Sequence, residues 1–517
     1  IEPPKGIAHR TSPTNIGLYL VCVLAARDFG FIDTRGLIER LERTLGTVES
    51  LEKWEGHLYN WYDTLTLEPL PMPYVSTVDS GNLVASLIAV REGLLEWINS
   101  DLRNAGSTNK PVDIHLGESA FAFAKELSIA GNLDFSGVAF AHSEGEDSRG
   151  DLQESGHKLI KRLDRLIDAT NFSPLYDRKT KLFHLGYRVS LREMDKVLYD
   201  LLASEARLAS FIAVALGQVP VSHWYALGRT MTRVGRRVTL LSWSGTMFEY
   251  LMPSLFMKTY FDTVWDCTYQ TAVKRQIEYA HQRGVPFGIS ESGYYAFDYR
   301  MNYQYRAFGV PGLGFKRGLE QDLVVAPYAT VLALPFAKQQ GISDLKKIKE
   351  LGAHGKYGYY EALDFTPERL PADKNNAVIH SYMAHHQGMS LISLSNLLLP
   401  QKVYERFHRD KRVRAAELLL QERIPASPKV IRHPAMAYTR KTIAKTEDVH
   451  DQREFRGADT VVPEVCLLSN GSFTTMITNS GSGFMRYKGL ALSRWREDPV
   501  LDNWGNYIYI RDVTRNI

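Results

Sequence analysis

Two glutamates, Glu205 and Glu291, have sequence surroundings that suit acid–base or nucleophilic chemistry. Glu205 falls among Leu201, Leu208 and Ile212 at helical spacing, which places its carboxylate on the apolar face of a predicted helix. Unless it is solvated, paired or partly neutral, a carboxylate there costs roughly several kcal/mol. The pattern therefore indicates a perturbed and chemically useful group.

Glu291 lies in a loop of small residues, 288–293, that continues into a pair of tyrosines. Two carboxylates amid aromatic side chains are typical of enzymes that break glycosidic bonds, where one donates a proton and the other acts as nucleophile or base. One alternative is that Glu205 is structural and pairs with Arg207 or Arg229. Glu249 competes with both glutamates, and its alternative role is to cap a loop or orient a neighbour.

Six segments combine aromatic side chains with acids, amides or histidines, at residues 54–63, 74–82, 242–253, 288–299, 357–361 and 381–387. Aromatic rings stack on the apolar faces of sugars, while polar side chains bind the hydroxyls. The segments therefore predict a carbohydrate cleft, the alternative being that the aromatic rings fill the core. The predicted substrate-binding residues are Trp61, Tyr62, Asp79, Trp243, Glu249, Tyr294, Asp298, Tyr360, His385 and His386.

Other kinds of active site have little support in the sequence. His385 and His386 are adjacent, so they point to different sides of a helix, and no His or Glu follows four residues later as a zinc site requires. No glycine-rich phosphate loop occurs, and the segment 117–121 lacks the second glycine of a serine-hydrolase elbow. Neither a metal nor a cofactor is predicted.

The composition describes an ordinary globular protein with 44% hydrophobic and 23% charged residues in 517. A formal net charge of +4 gives no reason to expect nucleic acid as a partner, and no apolar run is long enough for a transmembrane helix. The three widely spaced cysteines form no disulfide framework, which fits a reducing compartment. The first residues have no signal-peptide layout, and we expect them to be the cut edge of a longer chain.

Helical patterns dominate between about residues 15 and 425. After a first pair of helices, the predicted ones lie at 80–102, 115–131, 150–169, 190–216, 221–232, 245–258, 262–283, 318–339, 343–352, 373–398 and 401–422. A helical solenoid and a closed ring of helix pairs both fit, but no fixed repeat supports the solenoid. Strands are predicted at 435–439, 465–468, 473–478 and 507–510, with a hairpin turn at Asn470-Gly471.

Four segments, 11–18, 200–207, 243–253 and 289–294, together resemble the glucoamylase-like central region of bacterial cyclic β-1,2-glucan synthases. The later segments 467–471, 478–483 and 495–498 resemble the next region of those synthases, which leads toward a phosphorylase-like domain. Related β-1,2-glucanases share part of the first four segments, so the later ones favour the synthase.

This resemblance implies a mainly α protein, an (α/α)6 barrel over residues 1–428 with a small C-terminal β segment over 429–517. It implies cleavage of linear β-1,2-glucan and transfer to the chain's own non-reducing end, which closes a ring with retained anomeric configuration. The implied partners are linear β-1,2-glucan and other domains of the same synthase. The implied location is the cytoplasmic side of the bacterial inner membrane, as part of a larger membrane-bound chain.

A retaining mechanism needs a nucleophile and an acid/base about 5 Å apart if both act directly. We expect Glu291 to be the nucleophile, because a loop of small polar residues offers backbone N–H groups that keep a carboxylate ionised. We expect Glu205 to be the acid/base, because apolar surroundings raise a carboxyl pKa. Two alternatives stay open: an inverting endo-β-1,2-glucanase, and a non-catalytic glycan-binding module of a synthase.

Overall fold

The computed structural model describes residues 6–104, 146–298, 301–371, 374–400, 402–428, 430–431 and 464–493, with separate positions at 457–458, 495, 504–505 and 514. The chain divides into two compact units, Ile1–Ala437 and Tyr438–Ile517. Helices dominate the first unit, which contains both candidate glutamates. Within the described residues, no helix is both long enough and apolar enough to cross a bilayer.

The α-helices of the first unit differ widely in length, from five residues to 28. In chain order they are α1 (Pro13–Asp28), α2 (Thr34–Ser50), α3 (Thr77–Asn104), α4 (Glu146–Ala169), α5 (Arg207–Ala215), α6 (Ser222–Ala226), α7 (Met247–Leu251), α8 (Val264–Arg283), α9 (Pro327–Leu332), α10 (Lys338–Glu350), α11 (Ala384–Leu398), α12 (Val403–Phe407) and α13 (Lys411–Ala415).

Helices α1 and α3 form the centre of the helical core. α1 is apolar around most of its circumference, and Leu18, Leu20 and Val21 are all buried, so it needs neighbours on several sides. It packs against α3 and α11, while α3 also contacts α4, α5 and α12. The side chain of Ser12 caps the first turn of α1 by accepting the backbone N–H of Asn15 at 3.3 Å.

A buried ion-pair cluster joins three of these helices. Arg406 on α12 contacts both carboxylate oxygens of Asp28 at the end of α1, and its Nε donates to Glu96 of α3 at 2.7 Å. We expect Arg406→Met to lower the free energy of unfolding by about 3–5 kcal/mol, because it leaves the buried Asp28 carboxylate with only the longer 3.5 Å contact to Arg27. Chemical denaturation measures this, with the exposed Arg414→Met as the control. Equal losses in the two variants would contradict the prediction.

The strands form several small sheets in the described part of the first unit. They are β1 (Arg10–Thr11), β2 (Lys53–Trp54), β3 (His57–Leu58), β4 (Asn60–Asp63), β5 (Pro69–Ser76), β6 (Tyr176–Asp177), β7 (Leu182–His184), β8 (Gly186–Arg188), β9 (Glu193–Met194), β10 (Leu198–Tyr199), β11 (Met231–Val234), β12 (Arg237–Leu240), β13 (Ser292–Phe297), β14 (Tyr303–Arg306), β15 (Val324–Val325), β16 (His354–Gly355), β17 (Gly358–Tyr359), β18 (Ala362–Asp364), β19 (Ala377–Ile379) and β20 (Val430–Ile431).

The hairpin of β13 and β14 is the most important of these for the candidate site. Its first strand follows Glu291 directly and packs against the sheet of β15, β18 and β19. In the antiparallel register, Ser292 lies opposite Arg306 and Gly293 lies opposite Tyr305. This pairing brings β14 back beside the Glu291 loop.

The second unit contains a four-stranded antiparallel sheet of β21 (Val465–Ser469), β22 (Phe473–Thr478), β23 (Gly483–Tyr487) and β24 (Leu490–Ala491). The predicted hairpin turn at Asn470-Gly471 is confirmed, and Gly471 has a φ of 86°, which glycine adopts without strain. The predicted strands at 465–468 and 473–478 are confirmed as well. Those predicted at 435–439 and 507–510 lie outside the described residues.

Long helices with clear periodicity were predicted well. The helices predicted at 80–102, 150–169 and 262–283 correspond to α3, α4 and α8. The predicted helix at 115–131 lies outside the described residues. The other predictions hold only in part: several helices begin later than expected, and the one predicted at 401–422 is divided into α12, α13 and a short 3₁₀ turn.

The helix predicted at 190–216 is wrong over its first half. Residues 193–194 and 198–199 are strands paired with β8 and β7, and the helix α5 begins only at Arg207. The helix predicted at 221–232 likewise ends at Ala226, because the chain continues into the hairpin of β11 and β12. In both places, pairing with a distant or following strand overrides the local helical pattern.

Candidate active site

Glu205 lies in the turn that leads into α5, not on the helix itself. The preceding residues bridge to a distant loop, where the backbone N–H of Leu202 donates to the carbonyl of Gly228 at 3.0 Å. Ala203 and Ala206 on either side of Glu205 are buried. The predicted apolar surroundings are therefore present, but tertiary packing of a turn produces them instead of a helical stripe.

The ion pairs considered for Glu205 are not formed. Arg207 directs its guanidinium to the carbonyls of Ser204, Glu249 and Tyr250, and stacks on the Trp265 ring at 3.8 Å. Arg229 instead pairs with Glu422, Nε to Oε1 at 2.7 Å. The interpretation of Glu205 as half of a structural ion pair is therefore wrong.

The electrostatic surroundings of Glu205 favour its neutral form. Burial, and next the charge of Glu249, raise the pKa of Glu205 to about 7. The Ser204 hydroxyl donates to Oε2 at 3.1 Å and opposes this shift. Near neutral pH the carboxyl is thus poised between its two protonation states, which suits a group that both gives and takes a proton.

Glu249 was a predicted substrate-binding residue, and the structure gives it a structural role. Its Oε1 accepts the backbone N–H of Ser244 at 3.0 Å, and its Oε2 accepts the N–H of Thr246 and the hydroxyl of Ser242, each at 3.0 Å. Thr246 in turn accepts the N–H of Glu249, which completes a capping box at the start of α7. Burial raises the pKa of Glu249, while these donors oppose that shift and favour the ionised form, which is the form that acts on Glu205.

We expect Glu249→Gln to lower the pKa of Glu205 and to destabilise the protein. The amide removes the neighbouring negative charge, and its NH₂ group cannot accept the hydrogen bonds, which costs about 1–3 kcal/mol in unpaired donors. Carboxyl NMR titration and denaturant unfolding measure the two effects. The exposed Glu350→Gln on α10 is the control. A Glu205 pKa that stays near 7 in Glu249→Gln would contradict the assigned influence.

Glu291 lies directly before β13, in a loop that is fixed from several sides. The Tyr328 hydroxyl contacts the Ser290 hydroxyl at 2.8 Å and the Glu291 carbonyl at 2.9 Å, and the N–H of Phe248 donates to the same serine. The Glu291 carboxylate accepts the Tyr305 hydroxyl at 2.9 Å. Of the backbone N–H groups that the loop was expected to offer, that of Gly293 donates to Glu361 at 3.1 Å and not to Glu291.

The pKa of Glu291 is also raised, to about 8. Burial is the main cause, followed by the charge of Glu205, while the Tyr305 hydrogen bond opposes the shift. The two glutamates are therefore close enough to affect each other's ionisation.

Tyr199 lies near both glutamates, because the charges of both act on its hydroxyl. Burial raises its pKa well above the ordinary value, with further contributions from the charges of Glu205, Asp79 and Glu291. Asp79, at the start of α3, is held by the hydroxyl of Thr14 at 2.6 Å and the amide of Asn60 at 2.8 Å. Asp79 and both candidate catalytic glutamates therefore lie near enough to Tyr199 to act on its ionisation.

Three other predicted sugar-binding residues, Trp243, His385 and Trp61, are at least partly exposed. Trp243 is 47% exposed, and its indole N–H donates to Asp200 at 3.1 Å. The His385 ring lies 6.2 Å from that of Tyr305. Trp61 is half-buried with the Arg10 guanidinium 5.4 Å from its ring.

Tyr360 belongs to a separate aromatic group with His380 and Tyr382, whose rings lie 4.6 and 5.2 Å away.

The remaining predicted residues make structural contacts. Tyr62 is buried and donates to the carbonyl of Glu52. Tyr294 is buried and donates to Gln304 at 2.9 Å. Asp298 accepts the N–H of Asn302 within the turn of the β13–β14 hairpin. The structure therefore places Tyr62 and Tyr294 in the framework of the protein, whereas Asp298 lies partly exposed in the hairpin turn.

His386 was also predicted to contact substrate, but it is 1% exposed and both its ring nitrogens have protein partners. Nδ1 lies 2.9 Å from Oε1 of Glu361, and Nε2 lies 3.2 Å from the Tyr305 hydroxyl.

Tyr305, Tyr199 and Glu361 were not predicted as site residues. Glu361 was visible as the acid that ends an aromatic segment, whereas only strand pairing places Tyr305 near Glu291.

In the described part of the chain, no three His, Cys, Asp or Glu side chains are grouped as a metal site requires.

Comparison with known proteins gives two adjacent matches along the chain. Residues 198–411 match the sequence profile of a family described as glucoamylase, and residues 452–517 match the supersandwich domain of glycosyl hydrolase 94. A cyclic β-(1,2)-glucan synthase, NdvB of Rhizobium meliloti, is 37% identical over 586 residues. That alignment covers 99% of this chain but 20% of the relative, so the chain corresponds to about a fifth of such a synthase.

Solved structures share the fold. The endo-β-1,2-glucanase of Chitinophaga pinensis superposes with a TM-score of 0.55 at 14% identity, over 80% of this chain and 88% of that one. The endo-β-1,2-glucanase of Talaromyces funiculosus in complex with sophorose gives 0.55 at 15% identity, over 83% and 88% of the chains. The resemblance inferred from the sequence is confirmed: the chain joins a glucoamylase-like segment to a glycosyl hydrolase 94 supersandwich segment and is related along almost its whole length to part of a cyclic β-1,2-glucan synthase.

Proposed function

We propose that this chain cleaves linear β-1,2-glucan and transfers the new end to the glucan's own non-reducing end, which closes a ring with retained configuration. The observation that carries this proposal is the pair Glu205 and Glu291, both partly buried, whose pKa values are raised first by burial and next by the charge of Glu249 and of Glu205, respectively. Relationship to part of a synthase that makes cyclic β-1,2-glucan supplies the substrate and the product.

In the proposed first step, Glu205 donates its proton to the leaving glycosidic oxygen while Glu291 attacks the anomeric carbon. The bond to the leaving sugar breaks, and a glycosyl ester forms on Glu291. In the second step, Glu205 takes the proton of a hydroxyl at the non-reducing end, and that oxygen displaces Glu291. A ring forms, and both carboxyl groups return to their initial protonation states.

The carbohydrate would lie across the pocket that contains Tyr199 and Asp79. Trp243 and His385 are the accessible predicted residues beside it, and they suit ring stacking and hydroxyl contact respectively. As architecture we propose the (α/α)6 barrel over 1–428, with 429–517 leading toward a following domain. The other domains of a synthase chain would then be the partners, and the cytoplasmic side of the inner membrane would be the location.

The experiment is incubation of the protein with linear β-1,2-glucan, followed by an exo-acting β-glucosidase. Ring closure predicts glucan that survives the glucosidase, with no rise in reducing ends beforehand. A steady rise in reducing ends followed by complete digestion would overturn the proposal.

The fold shared with endo-β-1,2-glucanases favours hydrolysis as the second candidate function. An inverting glucanase would use one glutamate as acid and a base that activates water. The same incubation separates the two functions, because only hydrolysis produces one new reducing end per cleaved bond. Glucan that binds without any change in linkage would indicate the third alternative, a non-catalytic glycan-binding module.

A further inference from the structure

A continuous chain of hydrogen bonds extends from Glu291 into the protein interior. The Tyr305 hydroxyl lies 2.9 Å from Oε1 of Glu291 and 3.2 Å from Nε2 of His386. Nδ1 of His386 lies 2.9 and 3.1 Å from the two carboxylate oxygens of Glu361. We call these three residues, Glu361, His386 and Tyr305, the proton relay.

The relay has two arrangements of the same protons. In one, Glu291 is neutral and donates to the Tyr305 oxygen, Tyr305 donates to Nε2, and His386 is neutral. In the other, Tyr305 donates to the Glu291 carboxylate, and His386 donates from both nitrogens as an imidazolium. To pass between them, the proton of Glu291 moves to the Tyr305 oxygen while the Tyr305 hydroxyl hydrogen moves to Nε2. Tyr305 is neutral before and after.

The groups in contact with His386 complement a positive charge. Its Nδ1 faces a carboxylate, and the Glu361 side chain is itself buried, so that charge has little access to water. Glu361 also accepts the N–H of Gly293 at 3.1 Å. The ring of Tyr328 stacks on His386 with centroids 3.7 Å apart and planes inclined by 10°, which suits an imidazolium.

Another buried histidine–glutamate pair in the same fold shows the contrast. Nδ1 of His408 lies 2.6 Å from Glu417, but its Nε2 accepts the backbone N–H of Lys258 at 3.2 Å. Because an accepting nitrogen carries no proton, His408 is neutral, and burial lowers its pKa to about 4. Nε2 of His386 instead faces a hydroxyl that can donate or accept, so its ring is free to take a second proton.

We propose that the proton relay takes the proton from Glu291, so that Glu291 enters the reaction as a carboxylate and His386 as an imidazolium balanced by Glu361. This inference rests on the proposed function, in which Glu291 is the nucleophile. It answers a difficulty of that function, since a partly buried carboxylate that feels the charge of Glu205 would otherwise keep its proton. Glu361 and His386 are positioning residues in this scheme, because they act on the reaction through Tyr305.

In the described part of the chain, Tyr328, His385 and three carboxylates act on Glu291 and the relay. Glu205, Glu249 and Glu361 act on Glu291, and all three disfavour its ionisation through space. His385 lies against His386 with ring centroids 4.2 Å apart, and burial followed by the charge of His386 lowers the pKa of His385. His385 therefore stays neutral and does not compete for the proton.

The test is the pH dependence of kcat/KM on β-1,2-glucan for the wild type, Glu361→Gln, Tyr305→Phe and the double variant. If Glu361 acted on Glu291 only through space, loss of its negative charge would help Glu291 to ionise. The acidic limb of the pH profile would then shift to lower pH. The relay predicts the opposite: His386 loses its balancing charge, the proton returns to Glu291, and the limb moves up by about one pH unit or more. In the Tyr305→Phe background, Glu361→Gln should produce no upward shift, because the connection is already broken.

Glu417→Gln is the matched control, since it removes the carboxylate of the other buried pair and should leave the limb unchanged. A downward or absent shift in Glu361→Gln would overturn the relay, while loss of ring closure in the wild type would overturn the proposed function itself.

Nitrogen NMR of ring-labelled histidine gives a second readout that needs no variant. It should find His386 protonated on both nitrogens at neutral pH and His408 on one. A neutral His386 in the wild type would contradict the proposal even if every variant failed to fold.

Discussion

Glu291→Gln is expected to lose activity on β-1,2-glucan by a factor on the order of 10⁴ or more, with little change in stability. The amide has nearly the same shape and can still accept the Tyr305 hydroxyl, but it cannot form the glycosyl ester. The measurement is the rate of glucosidase-resistant glucan formation, together with the thermal unfolding midpoint.

Reaction of glycine variants with azide tests whether Glu291 is the nucleophile or only supports the reaction. In Glu291→Gly, azide can occupy the space of the carboxylate and attack the anomeric carbon, which gives an α-glycosyl azide from the β-linked glucan. In Glu205→Gly, azide would attack the glycosyl ester instead and give the β-azide. An α-azide from Glu205→Gly would reverse the two assigned roles.

Glu205→Gln is expected to reduce the rate on glucan by about 10²–10⁴-fold, the usual contribution of a general acid. A substrate that needs no proton on its leaving group, such as a dinitrophenyl β-sophoroside, should still form the ester quickly and then stall. In the wild type, activity should decline as pH rises through the region near 7, because Glu205 loses the proton it donates.

Pre-steady-state release of dinitrophenol measures the first step in Glu205→Gln. The stoichiometric burst that we expect distinguishes a missing proton donor from a damaged pocket. Equal loss on glucan and on the activated substrate, without a burst, would contradict the role of Glu205.

The sequence revealed the two glutamates because each one is unusual within its own short segment. A carboxylate among leucines and one in a small-residue loop need no knowledge of the fold to be noticed. Their partners could not be found in the same way. Tyr305 and His386 are 81 residues apart, and His386 and Glu361 are 25 apart, so the contacts exist only after β13, β14 and β18 have packed.

The same difference separates the helices that were predicted from those that were not. α8 has a Thr263 cap, an acidic first turn and Gly284 at its end, so local signals define its limits. Residues 190–206 have a helical pattern, but β9 and β10 pair with strands that precede them. That pairing depends on contacts outside the segment. Glu205 consequently lies in a turn, although its burial was anticipated.

Reaction of linear β-1,2-glucan in heavy-oxygen water, followed by mass spectrometry of all products, tests ring closure by transfer most directly. Transfer to a hydroxyl of the same chain predicts products lighter than linear glucan by one water and free of heavy oxygen. Linear products that carry one heavy oxygen for each cleaved bond would contradict ring closure, since water would then be the acceptor.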